Sequence, residues 1–282
     1  MPPAFIASRT SVRLRGIPIP GAEDRQQKIP GFDQAAFSAA HVVCIGAGGI
    51  ISMIAPTLVR KGIGGITLID DDVVEVSNLN RQRFYPKDIG RYKAVSLAEN
   101  VVPECIAATE INGIPLRFEE VIDSGVGLAC NVAICGVDNN PARVAASRYF
   151  RATRIPVIFT AVSIDGDHGY VFVQEPDGAC IGCLFPDMVN DDRYPCPGTP
   201  AIADVLQAVG AFAVYAVDTI ITERARSWNY RRIGMADGQF DAASHVTIGE
   251  HCRWRALKSS SRDQEHQSDA FSAHCRNSSV AQ

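Results

Sequence analysis

The chain has 282 residues, of which 46% are hydrophobic and 21% charged, and it contains nine cysteines. This is the composition of a globular protein, and the length allows one large domain with or without an appendage. The formal net charge of −4 argues against a general nucleic-acid-binding protein, and nine cysteines are too few for a disulfide scaffold in a chain of this length.

The chain carries no segment that we expect to enter a membrane. No apolar run reaches the roughly 18 residues that cross a bilayer, and the first residues lack the pattern of a signal peptide. We therefore expect a cytoplasmic protein with no membrane partner. Four cysteines in apolar, strand-like runs are expected to be reduced core residues. They are Cys44, Cys105, Cys130 and Cys135.

The predicted elements alternate between strands and helices after an irregular arm at 1–24. Strands are predicted at 41–46, 65–70, 105–111, 131–136 and 156–162. Helices are predicted after the first strand to about residue 61, at 91–102 and at 141–151. This alternation indicates parallel βαβ units. The predicted fold class is thus α/β, with a doubly wound, mostly parallel sheet of Rossmann type.

The pattern changes after about residue 168. Two runs, 169–176 and 245–249, predict added strands of antiparallel type. They flank a helix predicted from about 200 to 224, which is apolar on most sides and is therefore expected to be buried, within the chain or against another subunit. Residues 256–282 are polar and predict a disordered tail.

A glycine-rich turn, CIGAGGIISM at 44–53, follows the first strand. Such glycines let the backbone approach a phosphate, and the next helix offers free N–H groups and the positive end of its dipole. Gly46, Gly48 and Gly49 supply the turn, and Asp70 ends the second strand, where it can accept ribose hydroxyls. By itself this pattern also fits an NAD-dependent oxidoreductase.

Three side chains beyond Asp70 favour a different nucleotide. Asn78, Arg81 and Lys93 can hold phosphate oxygens where a redox dinucleotide needs only backbone amides. Cationic groups suit a triphosphate whose α-phosphorus is attacked, because negative charge builds on that group and on the departing pyrophosphate. The alternative is a solvated loop with ordinary surface charges.

A further carboxylate, Asp138, follows the strand at 131–136. Ligands of open α/β sheets collect at the carboxyl ends of parallel strands, so Asp138 is a candidate Mg²⁺ ligand. The alternative is a helix N-cap before Pro141, a role that Asn139 or Asn140 would serve equally well.

These residues resemble the ThiF/MoeB superfamily, adenylyltransferases that activate ubiquitin and ubiquitin-like sulfur carriers. The resemblance runs from about residue 25 to 249, and its most specific part is the string D-x-D-x-V-x-x-S-N-L-x-R-Q at 70–82. It implies an ATP-binding adenylation domain at 25–255. The implied site residues are Asp70 at the ribose, Asn78, Arg81 and Lys93 at the phosphates, and Asp138 at the metal.

The resemblance also implies a homodimer. The family carries an R-Q pair before its first strand, here Arg25-Gln26, and its arginine reaches the ATP site of the neighbouring subunit. The alternative is a surface arginine in a loose arm. Two departures bear on the nucleotide pocket: Ile51 stands where the family has a glycine, and Pro56 would kink the first helix or shift its first turns.

Two cysteines in C-x-x-C spacing, Cys180 and Cys183, can share one tetrahedral ion. In the resembling family a second C-x-x-C completes a structural zinc site, whereas here Cys252 is followed by Arg255 at the fourth position. The candidates for a fourth ligand are His251, His274 and Cys275. The alternative is a metal-free knuckle.

Cys196 precedes the long helix, at the place of the family's thiol nucleophile. A thiol near a helix N-terminus has a lowered pKa, which raises the thiolate fraction available to attack an acyl-adenylate. Cys196 is thus the candidate for a thioester or acyl-disulfide step. The alternative is an incidental loop thiol.

The predicted function is ATP- and Mg²⁺-dependent activation of the C-terminal glycine of a ubiquitin-like protein, with a conjugating enzyme as a further candidate partner. One alternative within the superfamily is activation of a small molecule or a tRNA base. Another is a noncatalytic subunit, against which the intact Asn78, Arg81, Lys93 and Asp138 argue.

Overall fold

The computed structural model describes residues 9–125, 127–186, 201–235, 241–249 and 252. Nine strands in these residues form one mixed sheet. They are β1 Val12–Arg15, β2 His41–Ile45, β3 Gly65–Ile69, β4 Glu110–Ile114, β5 Val132–Cys135, β6 Val157–Val162, β7 His168–Gln174, β8 Tyr230–Gly234 and β9 Ala242–Ser244.

The same residues contain seven α-helices and four short 3₁₀ helices. The α-helices are α1 Gln34–Ala39, α2 Gly49–Arg60, α3 Lys93–Val101, α4 Phe118–Asp123, α5 Asn140–Ala152, α6 Ile181–Leu184 and α7 Ala203–Ile221. The 3₁₀ helices are Gln26–Lys28, Val76–Asn78, Pro86–Asp88 and Val102–Glu104.

The sheet is doubly wound, as predicted. Its strand order is β1-β4-β3-β2-β5-β6-β7-β8-β9. The central strand β2 pairs in parallel with β3 on one side and β5 on the other, and β4 and β6 extend the parallel part outward. The strands β1, β7, β8 and β9 are antiparallel additions at the two edges.

Alternate residues of the strands fill two core layers. In β2, Val42 and Cys44 face the layer that holds α2, α3 and α7, whereas Val43 and Ile45 face the layer that holds α4, α5 and α6. All four side chains are at most 1% exposed. A strand covered on both faces is expected to be apolar without alternation, which is what the run HVVCI provides.

The helix α7 packs on this sheet beside α2. Its 19 residues would be long and apolar enough to cross a bilayer by length and composition alone, so the expectation that no such segment exists is wrong. In the fold, however, residues such as Val209, Ala213 and Val217 are fully buried in the layer shared with α2. We assign α7 as a core helix.

Three predicted segments differ from the structure. The arm at 1–24 contains β1, whose Val12 and Leu14 pack against the core, so it is not irregular throughout. The strand expected at 105–111 is shifted to β4, which includes Gly113 because a Cβ there would lie 2.7 Å from the carbonyl oxygen of Ala94 in α3. Close packing therefore requires a glycine inside β4, and this glycine obscured the strand in the sequence pattern.

The strand expected at 245–249 is replaced by β8 and β9, which lie earlier in the chain. The β8 sequence YRRIG contains two arginines and therefore does not resemble a strand over a core. Its Arg231 guanidinium lies 4.0 Å from the centre of the Phe212 ring on α7, so this charged residue covers apolar surface. The tail predicted at 256–282 lies outside the described residues.

Candidate nucleotide site

A cavity of about 1320 Å³ opens at the carboxyl ends of the parallel strands. It lies where the chain leaves β2 for one side of the sheet and β5 for the other, the place where ligands of doubly wound sheets bind. Most of the residues predicted for the site line it. They are Gly46, Gly48, Gly49, Asp70, Asn78, Arg81, Lys93 and Asp138.

The glycine turn brings backbone to the edge of this cavity. Gly46 has a φ of +90°, which side chains rarely allow. Gly48 caps α2 with a φ of −80°, and a Cβ placed on it would meet nothing within 4 Å. The first turn of α2 therefore begins at open space, with the unpaired N–H groups and positive dipole end of a helix N-terminus.

The two departures in this region leave the cavity intact. Ile51 is fully buried, and its side chain fills the space beside Gly136, where a Cβ would lie 2.8 Å from Ile51 Cγ1. The helix α2 continues through Pro56, which is buried at its eighth position. Ile51, at the place of the family's glycine, therefore packs in the core and is not among the described residues that line the cavity.

Asp70 stands at the end of β3 as a hydrogen-bond acceptor. Its Oδ2 accepts from the backbone N–H of Ala47 at 2.6 Å, and its Oδ1 accepts from that of Asp72 at 2.8 Å. The pKa of Asp70 is raised to about 6, because burial and the nearby Asp72 carboxylate raise it by more than Lys93 and the two N–H groups lower it. The carboxylate is thus ionised at neutral pH but sensitive to mild acid.

Lys93 forms the cationic wall of the cavity. Its Nζ lies 2.8 Å from Asp72 Oδ2, and its side chain is 12% exposed. Burial lowers the pKa of Lys93, but the carboxylates of Asp70, Asp72 and Asp138 together raise it above its ordinary value. Lys93 therefore stays charged, and three carboxylates surround a cation beside the start of α2.

Asn78 ends the 3₁₀ helix Val76–Asn78, and Arg81 lies in the turn just after it. Asn78 is 7% exposed, and its Oδ1 accepts from the backbone N–H of Glu75 at 2.9 Å, which closes the turn. Arg81 donates to the carbonyl oxygen of Ser77 at 2.6 Å and to Asn80 Oδ1 at 3.0 Å. Both line the cavity, and their local hydrogen bonds fix the loop that presents them.

Asp138 lies in the turn between β5 and α5, where its neighbour takes the capping role, and its role at a metal stays a prediction. Asn139 is the N-cap of α5, since its Oδ1 accepts from the backbone N–H of Ala142 at 2.9 Å. Arg143 donates to the carbonyl oxygen of Val137 at 3.2 Å and fixes the turn from the other side. Asp138 is left exposed at the cavity, close enough to Lys93 to raise its pKa.

Arg25 lies far from the cavity of its own chain. It is exposed, and the neighbouring Gln26 donates to the carbonyl oxygen of Lys61, the residue that ends α2, at 2.8 Å. The cavity is at the opposite end of α2, whose 12 residues span about 18 Å. An arginine side chain extends roughly 7 Å with bonds of ordinary length, so Arg25 does not reach that cavity.

Three cysteines cluster away from the cavity. Cys180 Sγ lies 3.6 Å from Cys183 Sγ and 3.3 Å from Cys252 Sγ. A tetrahedral Zn²⁺ with Zn–S bonds of about 2.3 Å holds thiolates about 3.8 Å apart, so the cluster fits three ligands of such an ion. The sequence candidates for a fourth ligand, His251, His274 and Cys275, and also Arg255, lie outside the described residues.

Some site residues carried no predicted role. Asp72 pairs with Lys93, and its place two residues after Asp70 in the family string was the available signal. Gln82, in the same string, is 9% exposed and lines the cavity, with an Oε1 that has no described hydrogen-bond partner. Arg143 lines the cavity as well, and only its packing in space identifies it. Cys196, the predicted nucleophile, lies outside the described residues.

Comparison with known proteins identifies the family. The model of the ThiF family matches residues 23–252, most of the chain. The chain belongs to the ThiF family. Among curated relatives of this ThiF-family chain, the SAMP-activating enzyme E1 of Haloferax volcanii is 30% identical over 174 residues, which cover 61% of this chain and 63% of the relative.

Two further similarities are informative. The tRNA threonylcarbamoyladenosine dehydratase of Escherichia coli is 34% identical over 129 residues, which cover 44% of this chain and 47% of the relative. A solved structure of E. coli MccB with ATP superposes with a TM-score of 0.65 at 20% identity, over 83% of this chain and 76% of that chain. This likeness establishes the shared fold. The chain spans less than two thirds of the length of the first relatives it matches, 63% and 45%.

Proposed function

We propose that this ThiF-family chain is an ATP-dependent adenylyltransferase that activates the C-terminal glycine carboxylate of a ubiquitin-like protein. The observation that carries the proposal is one cavity in which the start of α2, Lys93, Arg81 and Asp138 face the same space. Such an array of N–H groups and cations suits a polyphosphate. A redox dinucleotide is held at its pyrophosphate mainly by backbone N–H groups and needs fewer cations there.

Different residues contact different parts of the nucleotide. Asp70 accepts the ribose hydroxyls, as acidic residues do at the end of the second strand of such folds. Gly46 forms the turn, and the N–H groups of Gly48 and Gly49 at the start of α2, together with Asn78, Arg81 and Lys93, hold the phosphates. Asp138 fits Mg²⁺, since it is an exposed carboxylate at the cavity that Asn139 relieves of a capping role. The metal would neutralise phosphate charge.

The reaction needs alignment rather than a base. A carboxylate oxygen of the substrate attacks the α-phosphorus, a phosphorus–oxygen bond forms, and the bond to the bridging oxygen of the leaving pyrophosphate breaks. The substrate is already an anion at neutral pH, so no proton has to be removed. Lys93 and Arg81 stabilise the charge that gathers on the transferred and leaving groups.

We infer that the active unit is a homodimer in which Arg25 of one copy serves the site of the other. This is supported by the position of Arg25, since it lies beyond α2 from the cavity of its own chain. A cytoplasmic location, the domain limits 25–255 and a conjugating enzyme as a later partner complete the proposal.

Two cysteine roles extend it. The three clustered thiols hold a structural Zn²⁺, for which their mutual spacing is the support. The Cys196 thiolate attacks the acyl carbon of the adenylate, so that a thioester forms and AMP leaves; an acyl-disulfide forms in the same way if a persulfide donor has first placed a second sulfur on Cys196. The Cys196→Ala variant is expected to keep adenylate formation and to lose every reducible or base-labile conjugate, and conjugates that persist would exclude this role.

A second candidate function is activation of a tRNA base. It is favoured by the 34% identity to tRNA threonylcarbamoyladenosine dehydratase over 129 residues. Radioactive pyrophosphate exchange into ATP separates the two. Exchange that requires a protein ending in glycine supports our proposal, and exchange that requires tRNA supports the second candidate. Nucleotide binding without exchange for any partner would identify a noncatalytic subunit.

A further inference from the structure

Two glutamines attach residues 22–32, called the arm from here on, to the far end of α2. Gln26 Nε2 donates to the carbonyl oxygen of Lys61 at 2.8 Å and to Gln34 Oε1 at 2.5 Å. Gln34 Nε2 donates to the same carbonyl at 3.1 Å and to Ser38 Oγ at 3.0 Å. The carbonyl groups that end a helix lack partners in the helix, so amide donors are well placed there. We call this arrangement the glutamine clamp.

The glutamine clamp connects the arm to the core, which the backbone hydrogen bonds of residues 22–32 do not do. From Ala22 to Phe32 the described backbone hydrogen bonds are local turns, such as Gln26 N to Glu23 O at 3.0 Å and Ile29 N to Gln26 O at 3.0 Å. Local bonds fix the shape of a segment but not its direction relative to the core. The direction in which Arg25 leaves the surface therefore depends on contacts of the side chains.

The residue that accepts the clamp is itself held firmly. The Lys61 ammonium group pairs with Asp218 on α7 and lies 5.1 Å and 5.4 Å from the ring centres of Phe32 and Phe37. The Asp218 side chain is 9% exposed. Burial raises the pKa of Asp218, while Lys61 and Arg224 lower it. The carbonyl that Gln26 contacts thus belongs to a packed, charge-paired corner and not to a loose helix end.

We propose that Gln26 is a positioning residue, which holds Arg25 in the direction that its role at the neighbouring copy's phosphates requires. The inference rests on the proposed function. Gln26 adjoins Arg25, it is partly buried where Arg25 is exposed, and it joins the arm to the helix whose other end faces the cavity. Loss of the clamp leaves the arm folded locally and lets Arg25 point in many directions.

The test compares two variants of equal charge. Gln26→Glu keeps the size of the side chain, removes its donor and places an anion at the negative end of α2, whereas Gln27→Glu makes the same change at an exposed neighbour. We expect Gln26→Glu to lower pyrophosphate exchange about tenfold, the effect of one or two hydrogen bonds of ordinary strength, and Gln27→Glu to match the wild type. Gln26→Ala serves in place of Gln26→Glu if the latter does not fold.

Binding separates positioning from a general loss of structure. Arg25 acts on phosphates, so a Gln26 variant is expected to bind ATP about tenfold more weakly and adenosine with unchanged affinity. In the Arg25→Ala background, the change at Gln26 is expected to add nothing further, because it acts through Arg25. Equal losses for ATP and adenosine, or full additivity with Arg25→Ala, would overturn the inference.

The outcome is distinct from that of the proposed function. A wild-type chain that binds ATP but exchanges no pyrophosphate with any partner contradicts the adenylyltransferase. In that case the ATP and adenosine affinities of the Gln26 and Arg25 variants still decide whether the clamp acts through Arg25. A wild-type chain that exchanges pyrophosphate, with a Gln26 variant indistinguishable from it in rate and in ATP affinity, contradicts the inference alone.

Discussion

Lowering the pH from about 7.5 to about 5 is expected to weaken adenosine binding about tenfold, because Asp70 must be ionised to accept two ribose hydroxyls. The pKa of Asp70 is about 6, raised first by burial and then by Asp72, against the influence of Lys93. Nearly all molecules carry the carboxylate at the higher pH, and roughly a tenth do at the lower. Adenosine is the right ligand, since it has the ribose but no titrating phosphate.

Calorimetric titration of adenosine across this pH range measures the effect. The Asp70→Asn variant is expected to bind weakly at every pH, because an amide offers one acceptor where the carboxylate serves Ala47 and Asp72 with two. Its affinity should not depend on pH. A wild-type affinity that is flat from about pH 7.5 to about pH 5, or a slope that survives in Asp70→Asn, would refute the assignment of Asp70 to the ribose.

The same raised pKa has a consequence for the free protein. A folded acid that holds its proton more tightly than the unfolded chain costs stability once it ionises. The cost is absent below the ordinary value of 3.8, grows as the pH rises, and is complete above about 6. It amounts to at most about 3 kcal/mol. A carboxylate that lowers the stability of the free protein by this amount is expected at a site where a bound ligand donates further hydrogen bonds to it.

Three further predictions test single features of the site. Gly48→Ala is expected to lower the melting temperature by no more than the roughly 1 kcal/mol of a poorer N-cap, because a Cβ there meets no atom within 4 Å, and to weaken ATP binding because the methyl group occupies the proposed phosphate space; a larger loss of stability in calorimetry would contradict this. Lys93→Met should slow pyrophosphate exchange by about 100-fold or more, while Arg83→Met, at an exposed position of the same loop, should not. Cys183→Ser should reduce the zinc measured by atomic emission and lower the melting temperature, whereas Cys130→Ser should leave the zinc content unchanged.

The parallel core of the fold could be predicted because each of its strands is a short apolar run next to a recognisable turn. The strands β2, β3, β5 and β6 begin and end within about two residues of their predicted limits. The pattern failed where tertiary contacts override it. Gly113 in β4 is required by the nearby backbone of α3, and Arg231 in β8 covers the Phe212 ring. Neither contact is visible along the chain.

The candidate site, like the fold, could be predicted from the sequence only in part. Residues that leave the ends of parallel strands meet at one edge of the sheet, so the meeting of Asp70 and Asp138 could be predicted from the order of elements alone. Which of the two neighbours caps α5 and which stays at the cavity could not be predicted, because Asn139 and Asp138 are both able to cap a helix. The pairing of Lys93 with Asp72 likewise depends on tertiary contacts, the antiparallel bridge between Val73 and Tyr92 and the bond from the Lys93 N–H to the Asp72 carbonyl.

The sequence pattern alone does not show which cavity Arg25 could serve. An arginine between β1 and β2 is compatible with a role at the cavity of its own chain, of a neighbour, or of none. The contact between Gln26 and the Lys61 carbonyl excludes the first, since it fixes the arm beyond the last turn of a helix of about 18 Å whose first turn lines the cavity. Arg25 can therefore contact a nucleotide only if a second copy of the chain places its own cavity beside it. The proposed role of Arg25 and the proposed homodimer thus stand or fall together.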